Sequence, residues 1–233
     1  MTEDFVANLY GPLSRVRLET YRKFGDSDLA MVTNYFWNID LAEALVPSLH
    51  AVEVALRNSI HTALSHHYDT DMWFFREGLL QANQVRDFAS ALGKVARKRT
   101  PLAGCLVAQL SFGFWTSLLN APYEQSVWLP NKAALLFTVF PNAVGRSRKE
   151  IEERFTMINI LRNRAFHYEP IWNDPNLLQK HPAIHEAIRW ISHPLHQAIH
   201  SVDPFPSTYR NKDRVEARLM GLFHASRSAD SPP

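Results

Sequence analysis

The segment Leu161-Arg162-Asn163-Arg164-Ala165-Phe166-His167 brings a proton carrier, two fixed cations and a neutral hydrogen-bonding amide into seven residues. On a helix, at about 100° per residue, Asn163 and His167 lie one turn apart on one face, and Arg162 and Arg164 flank that face on either side. Arginine presents a planar fork that grips phosphate oxygens, and histidine moves a proton near neutral pH. The set therefore suits phosphodiester chemistry without a metal. The reaction it permits is transesterification of RNA. His167 acts as general base toward a ribose 2′-hydroxyl, Arg162 stabilises charge on the phosphate, and Asn163 orients the imidazole or the substrate. Only RNA supplies that internal nucleophile. Arg164 and the following Tyr168 are supporting residues.

Arg-x4-His spacing alone is common on solvated helices, so the rest of the chain has to give it weight. Glu53, Arg57 and His61 fall at i, i+4 and i+8 and make a polar stripe on an otherwise apolar helix. Glu53 and Arg57 are expected to hold the motif helix as an ion pair or network, with Asn58 and His61 as further supporting residues; the alternatives are a direct catalytic role and a second, degenerate half-site within the same chain. Two basic clusters are candidates for RNA phosphates, Lys94 with Arg97, Lys98 and Arg99, and Arg146 with Arg148 and Lys149. Each reads equally well as a helix end facing water. Histidines occur in two i, i+4 pairs, His181/His185 and His196/His200, but neither forms His-Glu-x-x-His. They are expected to be solvated surface residues, with no metal and no cofactor bound. The tryptophans, with Phe74 and Phe75, are expected mostly in the core. No Gly-rich phosphate loop, Gly-x-Ser-x-Gly or glycosidase-like carboxylate pair appears, which excludes nucleotide hydrolysis, acyl transfer and sugar cleavage.

The elements that carry these residues are helical. Apolar positions recur at i, i+3, i+4 and i+7, alternating strand patterns are hard to find, and only eight of 233 residues are glycine. The fold class read from this is all-α. Helices are predicted over residues 41–67, with a kink or the true start at Pro47, and over 78–99. One buried helix, or two short ones around Gly113, is predicted over 105–120, and a short helix over 132–140. Ser147 and Glu150 form a capping-box pattern that opens a long helix ending before Pro170. Further helices are predicted over 183–200, kinked at Pro194, and over 214–224.

Hydrophobic residues make up 46% of the chain, enough for a substantial core, and no low-complexity stretch separates two parts. One domain over residues 1–225 with a disordered tail over 226–233 is expected. The formal charge of +2 gives no global basic field, so RNA contacts must be local. The single cysteine, Cys105, excludes an internal disulfide and is expected to be a small buried apolar side chain. An acidic N-terminus without a basic, apolar leader, and the absence of an apolar run of roughly 18 residues, point to a cytoplasmic protein with no membrane partner.

Three landmarks carry a resemblance. Arg162-Asn163-Arg164-Ala165-Phe166-His167 is similar to the HEPN superfamily pattern, Arg followed by four to six residues and then His, with a polar residue after the Arg. Leu49-His50-Ala51-Val52-Glu53-Val54-Ala55-Leu56-Arg57-Asn58 resembles the early helix of the Abi-like family, with its Glu and Arg-Asn pair. Leu110-Ser111-Phe112-Gly113 resembles that family's central Ser-Phe-Gly element. In chain order, early helix, Ser-Phe-Gly element and then the Arg-to-His pattern, they cover roughly residues 41–172. The resemblance implies a HEPN-like helical bundle with additional helices and metal-independent endoribonuclease activity. It also implies a toxin-like role in abortive infection, bacterial phage defence. Because two motif copies commonly meet across a dimer interface in that superfamily, it further implies a homodimer. Regulation by an antitoxin or a regulatory RNA is compatible with this and has no signal of its own in the sequence. The alternative is a non-catalytic HEPN RNA-binding or protein-interaction module. The readings differ on His167: catalysis requires it to be open to solvent, and a structural role requires it to be sealed within one subunit.

Overall fold

Helix accounts for the regular structure of the chain, and no strand occurs among the described residues. The computed structural model describes residues 2–96, 103–129 and 134–228, with side chains over 5–96, 103–129 and 134–222. The helices are α1 (Thr2–Leu13), α2 (Arg15–Glu19), α3 (Asp28–Tyr68), α4 (Ala82–Ala96), α5 (Ala103–Gln109), α6 (Phe112–Ser117), α7 (Ala134–Val139), α8 (Arg148–Phe166), α9 (Leu177–Ile191), α10 (His193–Ser201), α11 (Phe205–Arg210) and α12 (Lys212–Ser228). No helix among the described residues is long and apolar enough to cross a membrane. Contacts gather into two compact units: Met1–Val46 with Leu161–His181 and Asp203–Pro233, and Pro47–Ile160 with Pro182–Val202. The chain passes from one to the other inside α3, α8 and α9, and a fourth time between α10 and α11.

In the first unit, α1 packs on α2 and on α12. The opening turns of α3 bury Met31, Val32, Thr33, Asn34 and Tyr35 in succession. A helix covered on all sides shows no amphipathic stripe, which is why periodicity places its start near Leu41 although Ser27 caps it, its Oγ accepting the amide of Ala30 at 3.2 Å. Two buried amides organise this unit. Asn34 donates to the carbonyl of Tyr21 at 2.9 Å. Asn38 accepts the amides of Ile171 at 2.7 Å and Trp172 at 3.1 Å and donates to the carbonyl of Glu169 at 3.4 Å. His181 is buried, its ring 4.3 Å from that of Phe205 and its Nε2 2.8 Å from Asp203 Oδ2.

In the second unit, Leu49, Val52, Leu56 and Ile60 of α3 form the expected apolar stripe, and Pro47 lies within the continuous helix. An aromatic cluster of Trp73, Phe74, Phe88 and Trp115 fills the core, with Phe75 exposed at its edge. Gly78, at φ +72°, is left-handed, so α4 begins at Ala82, later than its sequence pattern implies. The apolar stretch after Cys105 is two helices. Ser111 separates them, its Oγ accepting the amide of Phe114 at 3.2 Å to cap α6. Helix α5 buries Ala103, Leu106 and Val107, which turns Cys105 to the outside; its expected burial is corrected. Helix α8 opens on the predicted capping box: Ser147 Oγ accepts the Glu150 amide at 3.2 Å, and Glu150 Oε2 accepts the Ser147 amide at 2.8 Å.

The C-terminal third differs from its sequence pattern in register. Pro182 is tolerated inside α9, and the break falls at Ser192, whose Oγ accepts the amide of Leu195 at 3.3 Å to cap α10. His181 and His185 are therefore on one helix and buried, at 8% and 5% exposure, where solvated residues were expected. Helix α12 continues to Ser228, through part of the expected tail; residues 229–233 lie outside those described.

Candidate functional site

The motif occupies the last turns of α8 and the residue beyond it. Leu161 and Ala165 face inward, Arg162 is half-buried, and Asn163, Phe166, His167 and Tyr168 are exposed. His167 caps the helix, its amide donating to the carbonyl of Asn163 at 2.9 Å. The chain then turns sharply. Tyr168 is left-handed, at φ +60°, and the amide of Glu169 returns to the carbonyl of Arg164 at 2.9 Å. That bond is the six-to-one closure of a Schellman ending, made here by a tyrosine where glycine is usual.

Three anchors hold this ending from behind. Arg17 of α2 donates to the Tyr168 carbonyl at 2.7 Å. Asn38 receives the amides of Ile171 and Trp172, as described above. Arg164 turns its guanidinium to the carbonyl of Pro170 and to Asp174, 3.3 Å away. Asp174 is buried and also takes Lys180 Nζ at 2.6 Å. Burial works to raise its carboxyl, but the bonds from Lys180 and the Asn176 amide and the charge of Arg164 outweigh it and hold it below the usual range. Arg164 is thus a structural clamp on the post-motif loop, and the two-arginine cradle read from helical spacing does not form around the imidazole. Arg162 lies against the exposed face. Its guanidinium sits 4.7 Å from the centre of the Phe166 ring and donates to Asn163 Oδ1 at 3.3 Å. Arg162, Asn163 and His167 therefore share an open end of α8.

Beside this end, within the same unit, lies a cavity of about 650 Å³ walled chiefly by Leu13, Tyr21, Tyr35, Ile39, Ala165 and Phe166. Arg17 and Glu43 bring one charge of each sign to its lining. Flat aromatic walls with few polar groups suit a planar ring system. Sequence reasoning missed Asn38 and Arg17. Their signal was slight: an Asn in the middle of an apolar run, and an Arg in a short helix with no motif around it.

The other predicted residues are placed as follows. In the second unit, Glu53 and Arg57 are half-buried and Asn58 is exposed. His61 Nδ1 accepts the indole N–H of Trp73 at 3.1 Å and its ring lies parallel to Phe74. Burial pushes the His61 imidazole below its usual value, partly offset by Asp71. Arg148 is nearly buried and pairs with Glu152 and Glu124, at 2.5 and 3.2 Å. Arg146 pairs with Glu150 at 3.1 Å and lies over Trp190. Lys149 pairs loosely with Glu153, at 3.8 Å, and both it and Lys94 are exposed. Arg97, Lys98 and Arg99 lie outside the described residues. Of the basic candidates that are described, Lys94 and Lys149 are the ones presented to solvent without a close ion pair.

Compared with known proteins, the chain matches no family model, no curated protein and no solved structure.

Proposed function

We propose that the chain is a cytoplasmic, metal-independent endoribonuclease of the Abi-like HEPN kind, acting as a homodimer and toxin-like in abortive-infection phage defence. The observation that carries this reading is the exposure of His167 beside Asn163 and Arg162, on a helix end anchored from behind by Arg17, Asn38 and Arg164. A residue kept only for the fold has no need of an open face on a rigid mount. In the reaction, His167 Nε2 or Nδ1 takes the 2′-hydroxyl proton and the 2′-oxygen bonds to phosphorus. The bond from phosphorus to the 5′-oxygen breaks, and that oxygen leaves with a proton supplied by the second copy's motif. Arg162 neutralises the charge that grows on the phosphate. The products are a 2′,3′-cyclic phosphate and a 5′-hydroxyl. The cavity walled by Tyr35 and Phe166 offers a flanking base a stacking surface.

The test is cleavage of total bacterial RNA by purified wild type and by His167→Ala, in EDTA, with end-group analysis. EDTA-resistant fragments with cyclic phosphate ends, reduced at least about 100-fold in the variant, support the mechanism. Equal activity in both proteins overturns it, and RNA binding without cleavage assigns the non-catalytic module.

A further inference from the structure

The cavity beside the motif carries two charged groups that the cleavage step does not use. One face of α3 lines it, through Tyr35, Ile39, Ala42, Glu43 and Val46. Glu43 is the carboxylate on that face, and it makes no hydrogen bond or ion pair among the described residues. The other charge of the lining is Arg17. It donates to the Tyr168 carbonyl at 2.7 Å and lies 6.0 Å from the centre of the Tyr35 ring, with guanidinium N–H groups to spare. Tyr35 and Glu43 are eight residues apart on a continuous helix, so the cation and the carboxylate stand at opposite ends of the cavity, separated along the axis by about 12 Å at 1.5 Å per residue. Between and around them Ile39, Val46, Phe166 and Tyr168 are exposed, an apolar rim that gains by being covered.

These features define an occupant that is flat, with hydrogen-bond donors at one end and an anion at the other. A carboxylate offers two acceptor oxygens side by side. Guanine is the base whose Watson–Crick edge presents two donors side by side, N1–H and the 2-amino group. Adenine and cytosine offer one donor beside an acceptor, and uracil one donor between two acceptors. In guanosine monophosphate the phosphate lies at the far end from that edge, a span comparable with the stretch of α3 from Glu43 to Tyr35, where Arg17 meets it. A volume of about 650 Å³ holds one nucleotide with its ribose. We propose that the cavity is a guanine-nucleotide site in which Glu43 reads the base edge, Tyr35 and Phe166 wall the ring, and Arg17 takes the phosphate. Phe166 and Tyr168, the neighbours of His167 in the chain, join the cavity to the motif. The nucleotide is therefore a guanosine of the RNA beside the cut bond, an assignment that rests on the ribonuclease reading, and Glu43 is the residue that sets base preference.

The experiment titrates the full chain by calorimetry with guanosine 5′-monophosphate and with the adenosine, cytidine, uridine and inosine monophosphates. One guanosine monophosphate per chain with a Kd below about 1 mM is expected. It is expected to bind at least about 10-fold tighter than the adenosine, cytidine and uridine nucleotides, with inosine monophosphate, which lacks the 2-amino group, in between. Glu43→Gln, at an exposed position, is expected to weaken guanosine monophosphate at least about 10-fold with an unchanged thermal midpoint. Ala42→Phe, which fills the cavity, is expected to abolish binding with circular dichroism unchanged. No saturable binding by wild type, equal binding of all the nucleotides, or binding unchanged in either variant overturns the site. None of these readouts requires cleavage, so they stand apart from the ribonuclease test. Where RNA is cut, cuts beside guanosine are expected, and Glu43→Gln is expected to lose that preference. Cuts that ignore guanosine overturn the seating of substrate in the cavity, and guanosine monophosphate binding by a chain that cuts no RNA assigns the site to the free nucleotide.

Discussion

At the scale of single residues, the candidate site depends on groups that hold it from behind. Asn38 is 3% exposed and accepts two amides from the loop that follows the motif. Asn38→Leu keeps the volume and strands both buried N–H groups, so it is expected to cost about 2–4 kcal/mol. Urea denaturation measures this, and a loss below about 0.5 kcal/mol would show that the loop is held some other way. His61 makes a second kind of demand, because its Nδ1 accepts the Trp73 indole only when unprotonated. Its folded imidazole is depressed, mainly by burial, so below about pH 6.5 the unfolded chain takes up a proton that the folded chain resists. The stability it contributes is complete above that pH and is lost as pH falls toward the depressed folded value. His61→Gln, which keeps an acceptor for Trp73 but does not titrate, is expected to flatten this part of the stability profile; an unchanged profile would assign the acid sensitivity to other groups.

At the scale of elements, α8 is bounded by two devices of different character. Its start is a reciprocal capping box, and there Glu150 is held at about 2 by the backbone and side chain of Ser147 and by Arg146. The contribution of that carboxylate is present above its unfolded value of 4.5 and is lost as pH falls toward about 2. Ser147→Ala is expected to cost about 1 kcal/mol by thermal or chemical denaturation. The end of α8 carries strain instead, since Tyr168 adopts φ +60° with no side-chain need that glycine would fail to meet. Tyr168→Gly relieves about 1 kcal/mol of left-handed strain, and this offsets the extra entropy glycine brings to the unfolded chain. The variant is expected to be as stable as wild type or slightly more so. On the ribonuclease reading, which places Tyr168 beside the reacting group, cleavage is expected to fall. A variant that loses stability instead would give the tyrosine side chain a structural role.

At the scale of the whole molecule, charge and partnership make the testable statements. Arg146 and Arg148 are committed to carboxylates, which leaves Lys94 and Lys149 as the exposed, described members of the two basic clusters. If the chain binds single-stranded RNA through two or three phosphates, the logarithm of affinity falls with the logarithm of salt at a slope of about −1.4 to −2. A slope steeper than about −4 would require a basic surface beyond the two clusters. A composite site made by two copies further predicts specific activity that declines on dilution through the dimer dissociation range. Constant specific activity with a monomer in sedimentation would overturn the two-copy arrangement.

The all-α class, the capping box at Ser147, the apolar stripe from Leu49 to Ile60 and the position of the motif at the end of a late helix were all legible in the sequence. Each is a local pattern, with spacing and hydrogen-bonding partners only a few residues apart. The early turns of α3 were not legible, because a helix buried on every side carries no stripe. The histidines of α9 were misjudged for a related reason: burial depends on what packs against a face, and Pro182 hid the continuity of the helix. Tertiary structure alone decided that Arg164 serves Asp174 and leaves the imidazole, and that Asn38, more than a hundred residues away in sequence, holds the post-motif loop. It alone placed Glu43 and Arg17, from different helices, on the lining of one cavity. Sequence spacing fixes direction along one helix, but which side chains from different elements meet is decided by packing, and that information is distributed over the whole core.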